Sequence, residues 1–424
     1  MNTSVKRLKL KKYAILISYC GAGYYGLQRN QSLPTIESEL LDAFLKSEVI
    51  TKEQHENPWT IYFQKASRTD KGVSALKQVL SCHLPPNFCE KISQINEYLP
   101  EKIRVVSAKK ATRYFDSKSY CEARTYNYLM PTYALCPPEE LTCEAFRITP
   151  ELIKRFNELL TLYKGTHNFH NFTSQKYPTD ASAMRYIMEM ECGEPFEIDG
   201  LQLVVIRIKG QSFMLHQIRK MIGLAIGIMR GFANEDVIER SFGFERLDIP
   251  KAPGLGLMLD EVHYDKYNQR YASDGIHEGL NWSEYADFLH NFKHKYIYSS
   301  IVETEKNEHQ MISWLQTLPM HTFGIRERRE PKREMTPEEA IIRELQSKGA
   351  EPSTDYTKAI VNSGEVFGEN RLRMKKARLN EENNELEAKE CNDETTLEKN
   401  DEIKSEIEND VASKIERENE EIAR

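Results

Sequence analysis

Over the first two thirds of the chain, apolar residues come in short alternating or unbroken runs, each closed by glycine, proline or a polar cluster. Residues 13–19 read as a first strand, and 79–84 alternate as a strand until Pro85 and Pro86 break it. Thr35 is placed to cap a helix carrying Ile36, Leu40, Leu41, Phe44 and Leu45. Ile92, Ile95 and Leu99 make a short helix ended by Pro100; residues 103–108 and 123–130 are further strands. Residues 152–163 fit an amphipathic helix, and 184–191 with 201–208 a hairpin-like pair. The strongest helical period lies in 214–230, where Leu215, Ile218, Ile222, Ala225 and Met229 recur at spacings of three and four. Asn234 is expected to cap the next short helix, and 255–262 to form a closing strand. Strands and helices intermix without a βαβ rhythm, which predicts an α+β fold on an antiparallel or mixed sheet.

The pattern changes twice downstream. Residues 270–320 are helical and aromatic, with Trp282, Tyr285, Phe288, Phe292, Tyr296 and Trp314. From about 326 the chain becomes charged and repetitive, with sparse aliphatics that cannot offset ordering entropy, so a largely disordered tail is expected. This organisation gives three parts: a basic segment 1–12, a body 13–325 with a helical addition at about 270–320, and an acidic tail 326–424.

Charge follows the same division. Residues 331–424 hold 16 Lys+Arg against 25 Asp+Glu, so the overall net charge of −7 belongs to the tail. The near-neutral body can still bind nucleic acid, because local cations contact phosphates. No apolar run approaches the 18 or so residues of a membrane span, and the N-terminus lacks a signal-peptide core. The eight cysteines form no C-x-x-C pair, which favours free thiols in a reducing compartment over a zinc site.

The most informative segment is Ser67-Arg68-Thr69-Asp70-Lys71-Gly72-Val73. It puts a carboxylate between cations on a tight turn next to a strand, a usual seat for functional residues. Arg68 can hold Asp70 ionised, and Gly72 can let backbone approach a ligand. An Asp in a turn is also an ordinary turn former, and complementary parts elsewhere decide between the readings. Tyr126 lies on a strand flanked by Arg124 and Tyr128; by itself it fits a core position equally well. Arg219 sits on the polar side of the apolar helix with Leu215 one turn back, and His216 and Lys220 extend a face that fits either a ligand or solvent. Lys164, His167, Asn168, His170 and Asn171, interleaved with Phe169 and Phe172, suit a nucleic-acid surface or a polar loop with anchoring aromatics. His167 and His170 have metal-ligand spacing but no nearby carboxylate. Gly21, Gly23 and Gly26 match G-x-G-x-x-G, but polar residues and Pro34 stand between them and the next helix, which argues against a dinucleotide site.

Taken in order, these segments resemble the TruA-type tRNA pseudouridine synthases, in particular their eukaryotic nuclear branch. Tyr19 through Gln28 is similar to the family's first motif and Ala66 through Ala75 to its catalytic loop. Phe115–Lys118 with Ala123–Tyr128 is similar to its tyrosine strand, Gly165–Phe169 to a further segment, Gly210–Gly223 to its arginine helix and Ala252–Leu259 to its final strand. The likeness spans roughly residues 13–268. It departs from the bacterial pattern at Leu27, Ser67, Lys71 and Lys118.

The resemblance implies a pseudouridine synthase fold: a large mixed, mostly antiparallel sheet flanked by helices, with two similar halves around a basic cleft. It implies isomerisation of uridine to pseudouridine in RNA, without a metal or nucleotide cofactor. Asp70 would be the nucleophile, Arg219 would hold its charge, and Tyr126 would stack on the uracil and help move the C5 proton. Leu215 would pack at the base pocket, Arg68 would fill the space of the displaced nucleotide, and Lys71, His216 and Lys220 would contact RNA. Whether the carboxylate attacks C1′ or assists a glycal-like intermediate stays open. The implied partners are tRNA and, beyond it, small nuclear and messenger RNA. Bacterial relatives pair as dimers; the added 270–320 segment favours a monomer here. Lys6–Lys12 and Arg371–Arg378 resemble nuclear-import clusters, so a nuclear location is expected ahead of mitochondrion or cytoplasm. Two other classes remain in view: a catalytically silent RNA-binding or RNA-folding protein on the same scaffold, and a nucleotide-binding metabolic enzyme resting on the glycine loop.

Overall fold

The computed structural model describes residues 9–326, apart from Gln31, Leu141 and Gln175. The expected acidic tail beyond Arg326, the 371–378 cluster, and Lys6 and Arg7 of the first basic cluster lie outside the described residues. Ten strands form one sheet: β1 Lys11–Tyr19, β2 Gln64–Lys65, β3 Ser74–Leu84, β4 Ile103–Lys110, β5 Ala123–Pro131, β6 Gly165–Asn168, β7 Met184–Cys192, β8 Phe196–Ile198, β9 Leu201–Gly210 and β10 Leu257–His263. Helices α1 Ile36–Lys46, α2 Lys52–Glu56, α3 Ile92–Glu97, α4 Pro150–Thr161, α5 Gln217–Met229 and α6 Asp236–Arg240 lie between them. Helices α7 Asp265–Tyr271, α8 Ala286–Phe292, α9 Ser299–Glu308 and α10 Gln310–Leu315 follow, with a π-helical turn Lys293–Tyr298 joining α8 to α9.

Neighbours run in the order β4-β1-β3-β10-β5-β9-β7-β6, with β2 on β3 and β8 on β9. Every pair is antiparallel except β3 and β10, which run parallel with Ser74 opposite Met258 and Ala75 opposite Leu259. That seam lies four residues after Asp70 and brings the first half of the chain against its last strand. β1 is buried from Lys12 to Tyr19, so the sheet there is covered on both faces, which explains its unbroken apolar run. The expected α+β architecture on a large, mostly antiparallel sheet is present.

Local signals account for most boundaries. Thr35 caps α1 by accepting from the Ser38 N–H at 3.3 Å, as its position predicted. Two expectations fail. Asn234 does not cap α6; it accepts from the Val237 N–H through its backbone carbonyl, and α6 starts two residues later without a side-chain cap. The helix expected from 214 starts at Gln217, because His216 takes a left-handed φ of 66° that no α-helix continues through.

The 270–320 addition crosses the sheet as a strap. Tyr285 Oη bonds to Ser107 on β4 at 2.9 Å, and Lys109 pairs with Glu284 at 2.8 Å. At the far side Tyr133 Oη donates to the buried Glu305 at 2.7 Å, and Tyr298 stacks on Phe196 at 6.1 Å. Because Tyr126 pairs with Leu259 and Thr125 with Glu261, these two pairs lie on opposite faces of the sheet. A cavity of about 460 Å³ between the strap and β10, lined by Glu261, His263, Trp282 and His290, is on the face opposite Tyr126.

Candidate active site

Asp70 opens a β-turn in which its carbonyl accepts from the Val73 N–H at 3.1 Å. Gly72 takes φ +77° at the third position, where a side chain would be strained, so this glycine serves the turn, and the space beside it is open. The segment before it is pinned from below. Tyr19 Oη and Thr69 Oγ1 share a hydrogen bond of 2.8 Å, and the Gln78 amide exchanges bonds with the Ser67 N–H and carbonyl. Asp70 itself is exposed.

The glycine loop holds this turn in place. The Leu27 N–H donates to the Thr69 carbonyl at 3.1 Å, the Gly72 N–H to the Tyr24 carbonyl at 3.1 Å, and the Gly21 N–H to Ser74 Oγ at 2.9 Å. At Gly26, φ is +95° and a Cβ would stand 2.7 Å from the Thr69 carbonyl oxygen. The G-x-G-x-x-G pattern therefore exists for backbone-to-backbone contact with the Asp70 loop, not for a dinucleotide. Lys71 is drawn over the Tyr25 ring, 4.3 Å from its centroid.

Tyr126 reaches the same place from β5. Its hydroxyl shares a 2.8 Å hydrogen bond with Ser67 Oγ, and its ring meets Phe213 edge-on at 5.3 Å. The ring is 8% exposed. Burial pushes the Tyr126 hydroxyl up, the Ser67 bond and Arg124 oppose this, and the Asp70 charge adds to the rise. Arg124 ties the strands together by donating to the Ala66 carbonyl at 2.7 Å and the Gln211 carbonyl at 3.0 Å.

Arg219, in the first turn of α5, donates from Nε to the Ala252 carbonyl at 2.7 Å, while the Ala252 N–H donates back to the Arg219 carbonyl at 3.1 Å. Its guanidinium is 3.4 Å from where a Cβ would stand at Gly254. Burial lowers its pKa, and Tyr128 and the Asp70 carboxylate oppose that. His216 is lowered by burial and by Lys251 and Arg219, again against Asp70. Asp70 thus exchanges charge interactions with Tyr126, His216, Arg219 and Lys251.

Several placements differ from expectation. Arg68 is exposed and makes no ion pair with Asp70 among the described residues; Arg219 of α5 and Lys251 of the loop after α6 interact with the carboxylate. Leu215 precedes α5 instead of sitting one helical turn before Arg219, and it is 51% exposed. Lys220 turns inward to donate to the Asn171 carbonyl at 2.8 Å, and burial, with Arg246 and Arg326 nearby, pushes it down to about 8. Phe169, Phe172 and His170 are buried, so the rings of this segment are anchors, while Lys164 stays exposed. His167 stacks on Phe242 at 4.2 Å and donates to the Lys164 carbonyl. Among the described residues, no three His, Cys, Asp or Glu side chains gather as metal ligands would.

Sequence reasoning overlooked Lys251, Ser67 as the partner of the tyrosine, and Phe213 as its wall. Lys251 stands next to the Ala252-Pro253 pair and carries no signal of its own; only the approach of that loop to Arg219 selects it.

The profile of a family described as tRNA pseudouridine synthase matches residues 159–265. Over 316 residues the chain is 49% identical to the protein named Pseudouridylate synthase 1 homolog of Homo sapiens, covering 73% of each chain. The Mus musculus protein of that name is 47% identical over 323 residues, 75% of this chain and 76% of its own. The protein named tRNA pseudouridine synthase 1 of Yarrowia lipolytica is 32% identical over 381 residues, 70% of this chain and 72% of its own.

Proposed function

This chain belongs to the tRNA pseudouridine synthase family, an isomerase family that converts uridine to pseudouridine in RNA, and from that premise we propose that Asp70 is its nucleophilic carboxylate. The observation that carries this reading is convergence: Asp70, Tyr126 and Arg219 come from a turn, a strand and a helix far apart in sequence, and the charge of Asp70 acts on both of the others. In the reaction the N1–C1′ bond breaks, the uracil turns, and a C5–C1′ bond forms; C5 then gives up its proton and N1 takes one. Asp70 acts at the sugar when N1 leaves. Arg219 balances and orients the carboxylate. Tyr126 forms the wall on which the uracil rests and takes part in moving the C5 proton, its hydroxyl aimed by Ser67.

The target base must leave its stack, at a cost of about a few kcal/mol. Arg68, exposed beside Asp70, is suited to occupy the vacated space, and Lys71, Leu215 and His216 to line the entry. Lys220 supports this rim through the Asn171 carbonyl and adds charge from behind. Transfer RNA is the substrate we assign, with small nuclear and messenger RNA as further ones that offer a uridine able to swing out. Residues 13–325 act as the catalytic domain, and the strap over the back of the sheet favours a monomer. The basic clusters at 6–12 and 371–378 favour a nuclear location over mitochondrion or cytoplasm.

The test is tritium release from C5-labelled tRNA. Asp70→Ala is expected to bind RNA within about threefold of the parent and to release no tritium above background. Sustained turnover in that variant would overturn the assignment of the nucleophile.

A further inference from the structure

Two of the most exposed large rings in the described residues stand on segments that one hydrogen bond joins. Phe244 is 81% exposed and Tyr177 is 70% exposed. The Arg246 guanidinium bridges their segments by donating to the Lys176 carbonyl at 2.6 Å. Neither ring is on a loose tip. Asn171 donates to the Ser241 and Glu245 carbonyls and accepts from the Leu247 N–H, which holds the loop carrying Phe244. Leu247 also bridges to Ile325, and the Arg326 N–H donates to the Arg246 carbonyl.

The carboxylates at this rim, Asp180, Glu245 and Asp248, have other partners than its outer cations. Glu245 faces Arg240 at 3.9 Å, Asp248 takes His321 at 3.1 Å and the Thr322 N–H, and Asp180 takes the Tyr177 N–H at 2.8 Å. Among the described residues, Lys176, Arg246 and Arg326 have no carboxylate within ion-pair distance. Further cations lie inward, with Asp248 among them. Lys220 lies within charge range of Arg246, Arg326 and Lys251, and Lys251 within range of Arg219 and Asp70.

Exposed rings on anchored segments, beside cations that no described carboxylate pairs, fit one partner chemistry: bases stack on the rings while the phosphates between them meet the cations. We propose that Tyr177, Phe244, Lys176, Arg246 and Arg326 form a docking platform for an unpaired stretch of the RNA substrate that flanks the uridine at Asp70. The inference rests on the functional reading above for its substrate and extends it to a second point of contact.

The experiment measures the Kd for full-length tRNA at several salt concentrations, alongside tritium release. The double variant Tyr177→Ala, Phe244→Ala is expected to weaken binding by about tenfold or more with its salt slope kept, since each stacked base adds to affinity independently of ions. The double variant Lys176→Gln, Arg326→Gln is expected to lower the salt slope by about 1.4, the value for two phosphate contacts on a single strand. Phe244→Tyr should restore what Phe244→Ala loses, which separates stacking from a folding defect. At saturating RNA, kcat should stay within about twofold of the parent, because the platform binds ground and transition states alike. Unchanged Kd and salt slope in both double variants overturn the proposal; a surface made for a protein partner gives that result. A parent that binds RNA through this rim yet makes no pseudouridine sinks the functional reading and leaves the platform standing.

Discussion

The glycine segment around Gly21–Gly26 and the aromatic segment around Gly165–Phe172 look like two ligand loops in the sequence, and the structure gives each a supporting role. Both are supports. The first holds the Asp70 turn by backbone contact, at a spacing where Gly26 leaves no room for a Cβ. The second holds the start of α5 and the loop after α6 by side chains: the Asn171 amide makes three bonds there, its carbonyl takes Lys220, and Phe169 and Phe172 fill the space beneath. A backbone clamp specifies the absence of a side chain and tolerates almost no substitution. A side-chain clamp specifies one polar group and loses strength in proportion to what is removed.

Gly26→Ala should therefore do the most damage. It combines a 2.7 Å approach of the new Cβ to the Thr69 carbonyl oxygen with a left-handed φ of 95°, a cost of about 3 kcal/mol or more, and it displaces the carboxylate it supports. Tritium release should fall by about a hundredfold or more, since small misplacements of a reacting group are this costly. If activity survives, the backbone clamp is not needed. Asn171→Ala should come second. It leaves buried donors and acceptors of the 241–247 loop unpaired and should cost about 3 kcal/mol in urea melts, with KM for tRNA raised more than kcat is lowered. An equal loss of kcat would show that the two clamps do the same job.

Ser67→Ala is a finer probe. It removes the 2.8 Å bond that aims the Tyr126 hydroxyl and should lower kcat about fivefold, near the net worth of one hydrogen bond, without changing KM. The last probe is one of pH. Lys220 titrates at about 8 in the folded protein against 10.5 ordinarily, chiefly because it is buried. The unfolded chain then holds this proton more tightly, so the Lys220 contribution to stability rises as pH goes from about 8 to 10.5. Thermal melts of Lys220→Met should lack that rise, and RNA binding by the parent should weaken as pH passes about 8 and the charge is lost. A parallel pH profile for parent and variant would show that the charge at this second clamp plays no part.

Most of the scaffold was legible because strand alternation and helix capping are local. Tyr13–Tyr19, Ala123–Pro131 and the Thr35 cap follow from side-chain period and from one hydroxyl near free N–H groups. The Asp70 turn was legible too, through Gly72. The start of α5 was not, since the apolar period runs on through Leu215 and nothing in the residue type announces the left-handed His216. The candidate site was legible as a set of residues, through the order of its motifs, and not as an arrangement.

By itself, then, the sequence determined the strands and the turn that presents a carboxylate, because these depend on neighbours within a few positions. The tertiary structure alone decided which cations serve Asp70. Arg68, two residues before it in the chain, turns to solvent, while Arg219 and Lys251 interact with it from distant parts of the chain. It also decided that the rings of 165–172 point inward while Phe244 and Tyr177 stay outside. Charge and burial fall off with distance in space, and distance in space is set by which strands lie side by side.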